Sequence, residues 1–208
     1  MRTAMEWIRD ADAVIAGSAP EAMLKQRIKE GKLIFRYAER PLKKGDQLHL
    51  YLPRFLRWYL QNPPGKPIYI LAASAYTARD FGMFGLFRGK TFKWGYFPEV
   101  KQYPDVAELL GKKDPKKILW CGRFIHWKHP DHAIRVAKML KDGGYAFSMD
   151  LIGSGNMAER LQQMICDFEL TDYVHILDSM KPEQVREHME KAGIYLFTSD
   201  RQEGWGLC

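Results

Sequence analysis

Two cations follow a short apolar run in residues 121–128, CGRFIHWK, and this segment has the composition of a phosphate site. Gly122 lets a backbone approach a ligand closely, and Arg123 and Lys128 supply two positive charges. A helix is predicted to begin just after them, near Pro130, and the free N–H groups and dipole at a helix N-terminus favour an anion. The segment therefore predicts an anion site, with two solvated surface cations as the alternative.

A second segment that could contribute to a ligand site is the glycine turn that follows the apolar run ending at Ile152. Gly153, Ser154 and Gly155 form a shortened turn between a predicted strand and a predicted helix. The turn lacks the full dinucleotide-binding fingerprint, so it does not predict a Rossmann cofactor. A turn with a purely structural purpose remains the alternative.

The third segment follows the last apolar run and reads SDRQEGWG over residues 199–206. It places one carboxylate, Glu203, beside a glycine-rich backbone. A carboxylate accepts hydrogen bonds from sugar hydroxyls, and exposed peptide N–H groups bind phosphate. The segment is consistent with binding of a phosphorylated sugar, and a plain glycine-rich turn is the alternative.

All three segments follow predicted strands, because apolar runs alternate with helical patterns along the chain. The predicted strands are 13–17, 33–37, 68–73, 91–97, 118–121, 147–152, 174–177 and 194–198; the predicted helices are 18–31 with Ser18 as N-cap, 54–61, 76–84, 130–142, 157–168 and 182–192. Such alternation predicts βαβ units and parallel sheets, with ligands at the carboxyl ends of the strands. Pro98 and Pro104 predict a crossover between two α/β units near residues 98–106.

The order of these segments resembles the donor-binding domain of group 1 (family 4) glycosyltransferases, which have the GT-B fold. The resemblance covers residues 118–206 as GR-x4-K, GSG, VHIL and TSDRQ-EGWG, in that order. It implies an α/β chain with two Rossmann-like parallel-sheet units of a GT-B glycosyltransferase, both incomplete. Residues 1–101 are then the C-terminal part of the acceptor-side domain, with a weaker match in WGYFP at 94–98. Residues 102–208 are the first part of the nucleotide-sugar donor-binding domain.

The resemblance also assigns roles to individual residues. Arg123 and Lys128 are expected to hold the donor diphosphate, and Glu203 to contact the hydroxyls of the donor sugar. The backbone of residues 204–206 is expected to approach sugar and phosphate, and residues 176–179 to line the base pocket. The predicted catalytic residues are Arg123, Lys128 and Glu203; the predicted substrate-binding residues are Gly122, Gly153, Ser154, Gly155, Ile176, Ser179, Gly204, Trp205 and Gly206.

The activity implied by the resemblance is that of a retaining, metal-independent hexosyltransferase. Such an enzyme moves a sugar from a nucleotide diphospho-sugar donor to an acceptor hydroxyl and uses no cofactor. The expected acceptor is a saccharide or a lipid-linked saccharide, in the synthesis of cell-surface or capsular polysaccharide or glycolipid. The alternative is a non-catalytic nucleotide-binding or interaction module, or a truncated fragment without activity.

Two departures from the family pattern accompany the resemblance. Asp178 stands where the family usually has Gly, and the family's second Glu, eight residues after the first, would fall beyond Cys208. The glycine-rich N-terminal loop and the acceptor-domain His of the family have no counterpart here. Since two complete domains of roughly 150 residues need about 300, the chain is expected to be an internal or truncated segment.

Three histidines three residues apart, His126, His129 and His132, raise the question of a metal site. This spacing does not bring three imidazoles onto one tetrahedral ion, and no cysteine lies near them. The sequence therefore predicts no metal site.

Charge is unevenly distributed along the chain, whose net charge is +7: residues 1–101 carry +9 and residues 102–208 carry −2. A basic half indicates either a face that contacts an anionic partner or a well-solvated surface.

No apolar run approaches the roughly 18 residues of a membrane span, and no cleavable signal is evident. Three widely spaced cysteines are typical of reduced thiols. We therefore expect a cytoplasmic protein with peripheral contact to the anionic inner membrane face and no nucleic-acid partner.

Overall fold

The computed structural model describes residues 3–43, 49, 51–200 and 202–203. The chain divides into two compact units, Met1–Pro98 and Glu99–Cys208. Each unit has a four-stranded sheet in which all paired strands are parallel. The predicted pair of parallel-sheet α/β units is thereby confirmed.

The first unit has the strand order β1-β2-β3-β4. Its elements are α1 (Ala4–Asp10), β1 (Ala13–Ala16), a 3-10 turn (Glu21–Met23), α2 (Lys25–Glu30), β2 (Leu33–Ala38), α3 (Leu52–Gln61), β3 (Ile68–Ala72), α4 (Thr77–Gly82) and β4 (Thr91–Lys93). Ile34 and Ile70 of the sheet pack against Leu24, Phe55 and Phe81 in its core.

The first unit departs from the sequence prediction at the start of its first predicted helix after β1. The predicted N-cap at Ser18 is wrong, because Pro20 has an extended backbone (φ −57°, ψ 131°) that cannot lie within a helix. A 3-10 turn follows, and the α-helix begins only at Lys25. It ends as predicted at Gly31, whose φ of 71° is the left-handed conformation that favours glycine.

The second unit has the strand order β7-β6-β5-β8. Its elements are α5 (Val106–Gly111), β5 (Asp114–Cys121), a 3-10 turn (His126–Lys128), α6 (Pro130–Asp142), β6 (Ser148–Ile152), α7 (Ala158–Asp167), β7 (Val174–Leu177), α8 (Pro182–Lys191) and β8 (Ala192–Tyr195). The helix α5 is absent from the sequence prediction, although Asp105 caps it by accepting hydrogen bonds from the backbone N–H groups of Ala107 and Glu108.

Both faces of the second sheet are covered, and the side chains of its strands alternate between them. On one face Trp120, Met149 and Leu151 pack with side chains of α6 and α7. On the other face Leu119 and Ile152 pack with side chains of α8. Two-sided burial explains why these strands read as continuous apolar runs rather than as alternating ones.

The order of strands reverses beside β5, and this reversal positions the candidate site. The chain passes from β5 to β6 and then to β7 on one side, whereas β8 pairs with the opposite edge of β5. The helices α6 and α7 lie on one face and α8 on the other, so the connections after β5 and β7 run to opposite faces. A crevice forms at the carboxyl ends of the strands at such a reversal, and it is where ligands bind in open α/β sheets.

None of the helices in the described part of the chain combines the length and the apolar character that a membrane span requires.

Candidate functional site

The loops that follow β5 and β6 are joined backbone to backbone. Gly122 donates its N–H to the carbonyl of Ile152 at 3.0 Å, and Phe124 donates to the carbonyl of Ser154 at 2.8 Å. Gly153 adopts a φ of 152°, and a Cβ placed there would lie 1.9 Å from the carbonyl oxygen of Gly122. Only glycine therefore fits at this position.

Gly155 is constrained in the same way. It adopts a φ of 154°, and a Cβ there would lie 2.4 Å from the carbonyl oxygen of Phe124. Both glycines of the turn therefore allow close contact between two loops of the protein. This gives a physical reason for the turn that the sequence alone does not provide, and the predicted role of these glycines toward a ligand stays a prediction.

A cleft of about 220 Å³ opens beside this pair of loops. It contains five of the predicted site residues: Gly122, Arg123, Gly153, Ser154 and Ser179. The hydroxyls of Ser154 and Ser179 are 2.9 Å apart, which connects the loop after β6 with the segment after β7. The cleft also contains residues that the sequence analysis missed: Cys121, Ile152, Met180 and Val185. Cys121 and Ile152 are the final residues of their strands, and the rule that ligands bind at strand ends could have found them.

Ile176 is not among the described residues that line this cleft, and its predicted place in a base pocket stays a prediction. Its half-buried side chain packs on the core face shared with Trp120 and Leu151. Successive strand residues point to opposite faces, so the neighbouring Leu177 lies on the face covered by α8.

Lys128 and Glu203, which are 75 positions apart in the sequence, form an ion pair. The Lys128 Nζ lies 2.5 Å from the Glu203 Oε2, and the two side chains are only 11% and 19% exposed. The Glu203 Oε2 is buried and makes no hydrogen bond of standard geometry, so charge attraction holds the pair. The ammonium group also lies 5.9 Å from the centre of the Phe197 ring. Two of the predicted catalytic residues are thus brought together.

Arg123, the third predicted catalytic residue, is exposed at the cleft. Its guanidinium lies 5.8 Å from the centre of the Trp127 ring, at the distance of a cation–π contact. The planar group is thus placed beside the cleft with its N–H donors available to an anion.

The loop after β8 is attached to the loop after β5 by contacts that the sequence analysis missed. The Thr198 hydroxyl donates to the carbonyl of Lys128 at 2.6 Å and accepts from the Trp120 indole N–H at 2.8 Å. The backbone N–H of Asp200 donates to the carbonyl of Trp127 at 3.0 Å. The Asp200 Oδ2 lies 3.1 Å from the His129 Nε2. These contacts fix the position of one loop relative to the other on both sides of the strand reversal.

The Asp200 carboxylate has a lowered pKa. Burial by itself raises the pKa of this group, but hydrogen bonds from the Gln202 backbone N–H and from His129 lower it below the usual value for aspartate. An ionised carboxylate only accepts hydrogen bonds, so the His129 Nε2 is the donor in this pair.

Three neighbouring side chains, His129, Asp131 and His132, each offer a metal-ligand atom, and these atoms lie within 4.8 Å of one another. The rings of His129 and His132 are stacked, with centroids 4.6 Å apart and an angle of 13° between their planes. Imidazole lone pairs lie in the ring plane, so two stacked rings do not point at a common centre. This arrangement does not form a preformed metal site.

The remaining predicted site residues, Gly204, Trp205 and Gly206, lie outside the described residues. Glu203 directly before them is described, and its backbone N–H donates to the carbonyl of Asp200 at 3.1 Å.

The chain is similar to known glycosyltransferases in sequence and in fold. The family model described as glycosyl transferases group 1 matches residues 104–208, just over half of the chain. The amylovoran biosynthesis glycosyltransferase AmsK of Erwinia amylovora is 29% identical over 85 residues, which make up 41% of this chain and 21% of that protein.

Solved structures extend the similarity to both units. HepE from Anabaena, solved with UDP, matches with a TM-score of 0.67 at 14% identity over 94% of this chain and 55% of that chain. A variant of TarM from S. aureus, solved with fondaparinux, α-GlcNAc-glycerol and UDP, matches with a TM-score of 0.61 at 14% identity over 81% of this chain and 32% of that chain. At this identity the match shows the fold, and it confirms the predicted GT-B class. The chain thus spans between a fifth and just over half of the length of these relatives.

Proposed function

Because the chain belongs to the glycosyl transferases of group 1, we propose that its second unit binds the diphosphate and sugar of a nucleotide diphospho-sugar donor at the strand reversal beside β5. The first unit is then the acceptor-side part. The observation that carries the proposal is the convergence of the loops after β5 and β8, where Lys128 and Glu203 lie 2.5 Å apart. Cations and a carboxylate at a strand reversal are the groups that a phosphorylated sugar requires.

In the proposed reaction the acceptor oxygen forms a bond to the anomeric carbon and the bond between that carbon and the diphosphate breaks. The departing diphosphate gains negative charge and takes up the proton that the acceptor hydroxyl loses. Arg123 and Lys128 stabilise this charge without transferring protons, because guanidinium and ammonium groups stay charged at neutral pH. Their two positive charges make a bound metal unnecessary for this purpose. Glu203 accepts hydrogen bonds from the sugar hydroxyls and orients the ring. We propose retention of the anomeric configuration and an acceptor hydroxyl on a saccharide or a lipid-linked saccharide, in polysaccharide or glycolipid synthesis.

The ion pair between Lys128 and Glu203 has a consequence for donor binding. In the free protein the ammonium is already neutralised by the carboxylate, so a diphosphate competes with Glu203 for the same cation. The sugar hydroxyls give the released carboxylate new partners. The complete donor is therefore expected to bind better than the nucleoside diphosphate alone.

UDP is the first nucleotide to test, because HepE and the TarM variant were each solved with UDP. We expect the wild-type chain to bind UDP in titration calorimetry. Arg123→Ala and Lys128→Ala should each weaken UDP binding by about 10- to 100-fold, because each variant loses a charge-assisted hydrogen bond of roughly 1.5–3 kcal/mol. Glu203→Ala is expected not to weaken UDP binding, because it removes the carboxylate that competes with the diphosphate for Lys128. The matched control is Arg160→Ala on the exposed surface of α7.

Sugar transfer from a panel of UDP-sugars measures catalysis in the same variants. Loss of one group that stabilises developing charge lowers turnover by about 10²–10³-fold, and Glu203→Ala is expected to lower transfer as well. Normal folding with full UDP affinity in both cation variants would reject the assigned site. Binding of UDP without transfer of any sugar would favour a non-catalytic nucleotide-binding module instead.

We also propose that the first unit contacts an anionic membrane surface through α3. Leu52, Leu56 and Leu60 are 57%, 62% and 71% exposed on this helix, and Arg54 and Arg57 are exposed between them. Exposed leucines next to arginines are typical of helices that lie on an anionic bilayer. Sedimentation with phosphatidylserine vesicles tests this, because screening at high salt should release the protein. Binding that is absent at low salt, or indifferent to salt, would exclude it.

A further inference from the structure

Lys128 and Glu203 belong to different loops, so their pairing depends on how the two loops are held. His129 directly follows Lys128, and Asp200 precedes Glu203 by three residues. The His129 Nε2 and the Asp200 Oδ2 lie 3.1 Å apart, and the two side chains are 17% and 34% exposed. This contact therefore joins the two loops next to the proposed donor-binding residues.

The Asp200 carboxylate connects two parts of the structure at once. Its Oδ1 accepts a hydrogen bond from the Gln202 backbone N–H at 2.7 Å, and its backbone carbonyl accepts one from Glu203. These two bonds shape the turn that leads to Glu203. Its Oδ2 accepts from His129 on the neighbouring loop. A displacement of Asp200 thus changes the turn that carries Glu203 and its attachment to the loop that carries Lys128.

His129 occupies a backbone position that few side chains tolerate. Its φ of 47° and ψ of 54° are left-handed, and it is the N-cap of α6. Glycine adopts this conformation without strain, whereas a residue with a Cβ is strained there. The imidazole, through its contact with Asp200, compensates for a strained backbone. The strain is located directly beside Lys128, where the chain turns from the loop into the helix.

We propose that the pair His129–Asp200 is a latch that holds the loops of Lys128 and Glu203 next to each other, so that both side chains reach the same bound donor. The proposal rests on the proposed function, and it assigns both members as positioning residues. The Asp200 backbone N–H and the Thr198 hydroxyl bind the same neighbouring loop through backbone atoms. The latch is a contact between two side chains, so it can be removed by substitution without deleting these backbone bonds.

The variants that test the latch are His129→Gly, Asp200→Ala and the double variant. Glycine removes the imidazole and also relieves the left-handed strain, so a loss of function in His129→Gly cannot be attributed to backbone strain. His129→Gln is the rescue variant, because its amide N–H reaches about as far from the backbone as the imidazole Nε2 and can donate to Asp200. Arg160→Ala, on the exposed surface of α7, is the control.

The first measurement is the affinity for UDP. We expect His129→Gly and Asp200→Ala each to weaken UDP binding by about tenfold, because small displacements of positioned groups reduce binding strongly. The double variant should be no weaker than either single variant, since both remove the same contact. His129→Gln should recover most of the affinity, and Arg160→Ala should match the wild type. Wild-type affinity in His129→Gly and Asp200→Ala, or additive losses in the double variant, would overturn the proposal.

The second measurement is hydrogen exchange of nucleotide-free protein, which does not depend on the proposed function. Removal of the latch should accelerate exchange of the amides in residues 198–203 and leave those of β6 unchanged, whereas a general loss of stability accelerates both. If the wild type binds no UDP, the proposed function fails for this nucleotide, and exchange in the loop by itself decides the latch. Unchanged exchange in residues 198–203 would overturn the latch whatever the affinity for UDP.

Discussion

The hydroxyl of Thr198 is the contact through which the loop after β8 binds both the core and the loop after β5. It accepts a hydrogen bond from the indole N–H of Trp120 at 2.8 Å and donates one to the carbonyl of Lys128 at 2.6 Å. Trp120 is 2% exposed, so water does not replace a lost partner of its indole. Thr198→Val keeps the shape of the side chain and removes both hydrogen bonds.

The expected cost of Thr198→Val follows from these two bonds. A buried donor left without a partner costs about 1–3 kcal/mol, and the bond to the Lys128 carbonyl contributes about 1 kcal/mol. We therefore expect the free energy of unfolding to fall by roughly 2–4 kcal/mol. Urea unfolding followed by circular dichroism measures this change, and the dependence on urea should stay the same because the surface exposed on unfolding hardly changes.

Thr198→Ser is the matched control, since it keeps the hydroxyl and loses one methyl group, at a cost of about 1 kcal/mol. The comparison separates the hydrogen bonds from packing. If Thr198→Val is as stable as Thr198→Ser, the hydroxyl does not contribute as the distances indicate, and the reasoning is refuted.

Two further predictions concern the glycine turn and the pH dependence of stability. Gly153→Ala should lower the free energy of unfolding by roughly 3 kcal/mol or more, since its Cβ would lie 1.9 Å from a backbone oxygen. Gly144→Ala is the control: Gly144 has a φ of 72° and open space around it, so the substitution should cost only the left-handed strain of about 1–2 kcal/mol. Equal losses of stability in urea unfolding would contradict the assigned contact. The lowered pKa of Asp200 means that its charged form stabilises the folded state above the usual aspartate value near 4, and that this contribution is lost as the pH falls through the lowered pKa. Wild type should therefore exceed Asp200→Asn in stability at pH 7 and approach it near pH 2, and a constant difference over this range would show that the carboxylate charge is not involved.

The sequence was a good guide to elements that depend on local chemistry. The helix α6 begins at Pro130 and ends at Gly143, as predicted, because proline suits the first turn of a helix and glycine favours its end. The strand β7 has the predicted bounds, 174–177. The N-terminal helix α1 is absent from the sequence prediction, although Thr3 and Glu6 form a capping box at its start.

The candidate site was less accessible to sequence reasoning. Local spacing identified the segments that contain Arg123, Lys128 and Glu203, because glycines and charged residues that follow apolar runs can be recognised in the sequence. It did not identify Thr198, His129 or Asp200 as the contacts between those segments. It also did not show on which face of the sheet Ile176 lies, because the face of a strand residue depends on the register of the sheet.

The alternation of apolar runs and helical patterns by itself determined that this chain forms two parallel-sheet units, since a parallel pair requires a crossover between its strands. Tertiary structure alone decided that β8 pairs with β5 rather than extending the sheet beyond β7. Any strand edge offers the same backbone donors and acceptors, so the choice depends on side chains distant in sequence that cover both faces. That choice brings the loops after β5 and β8 together and places Lys128 beside Glu203, which no local pattern encodes.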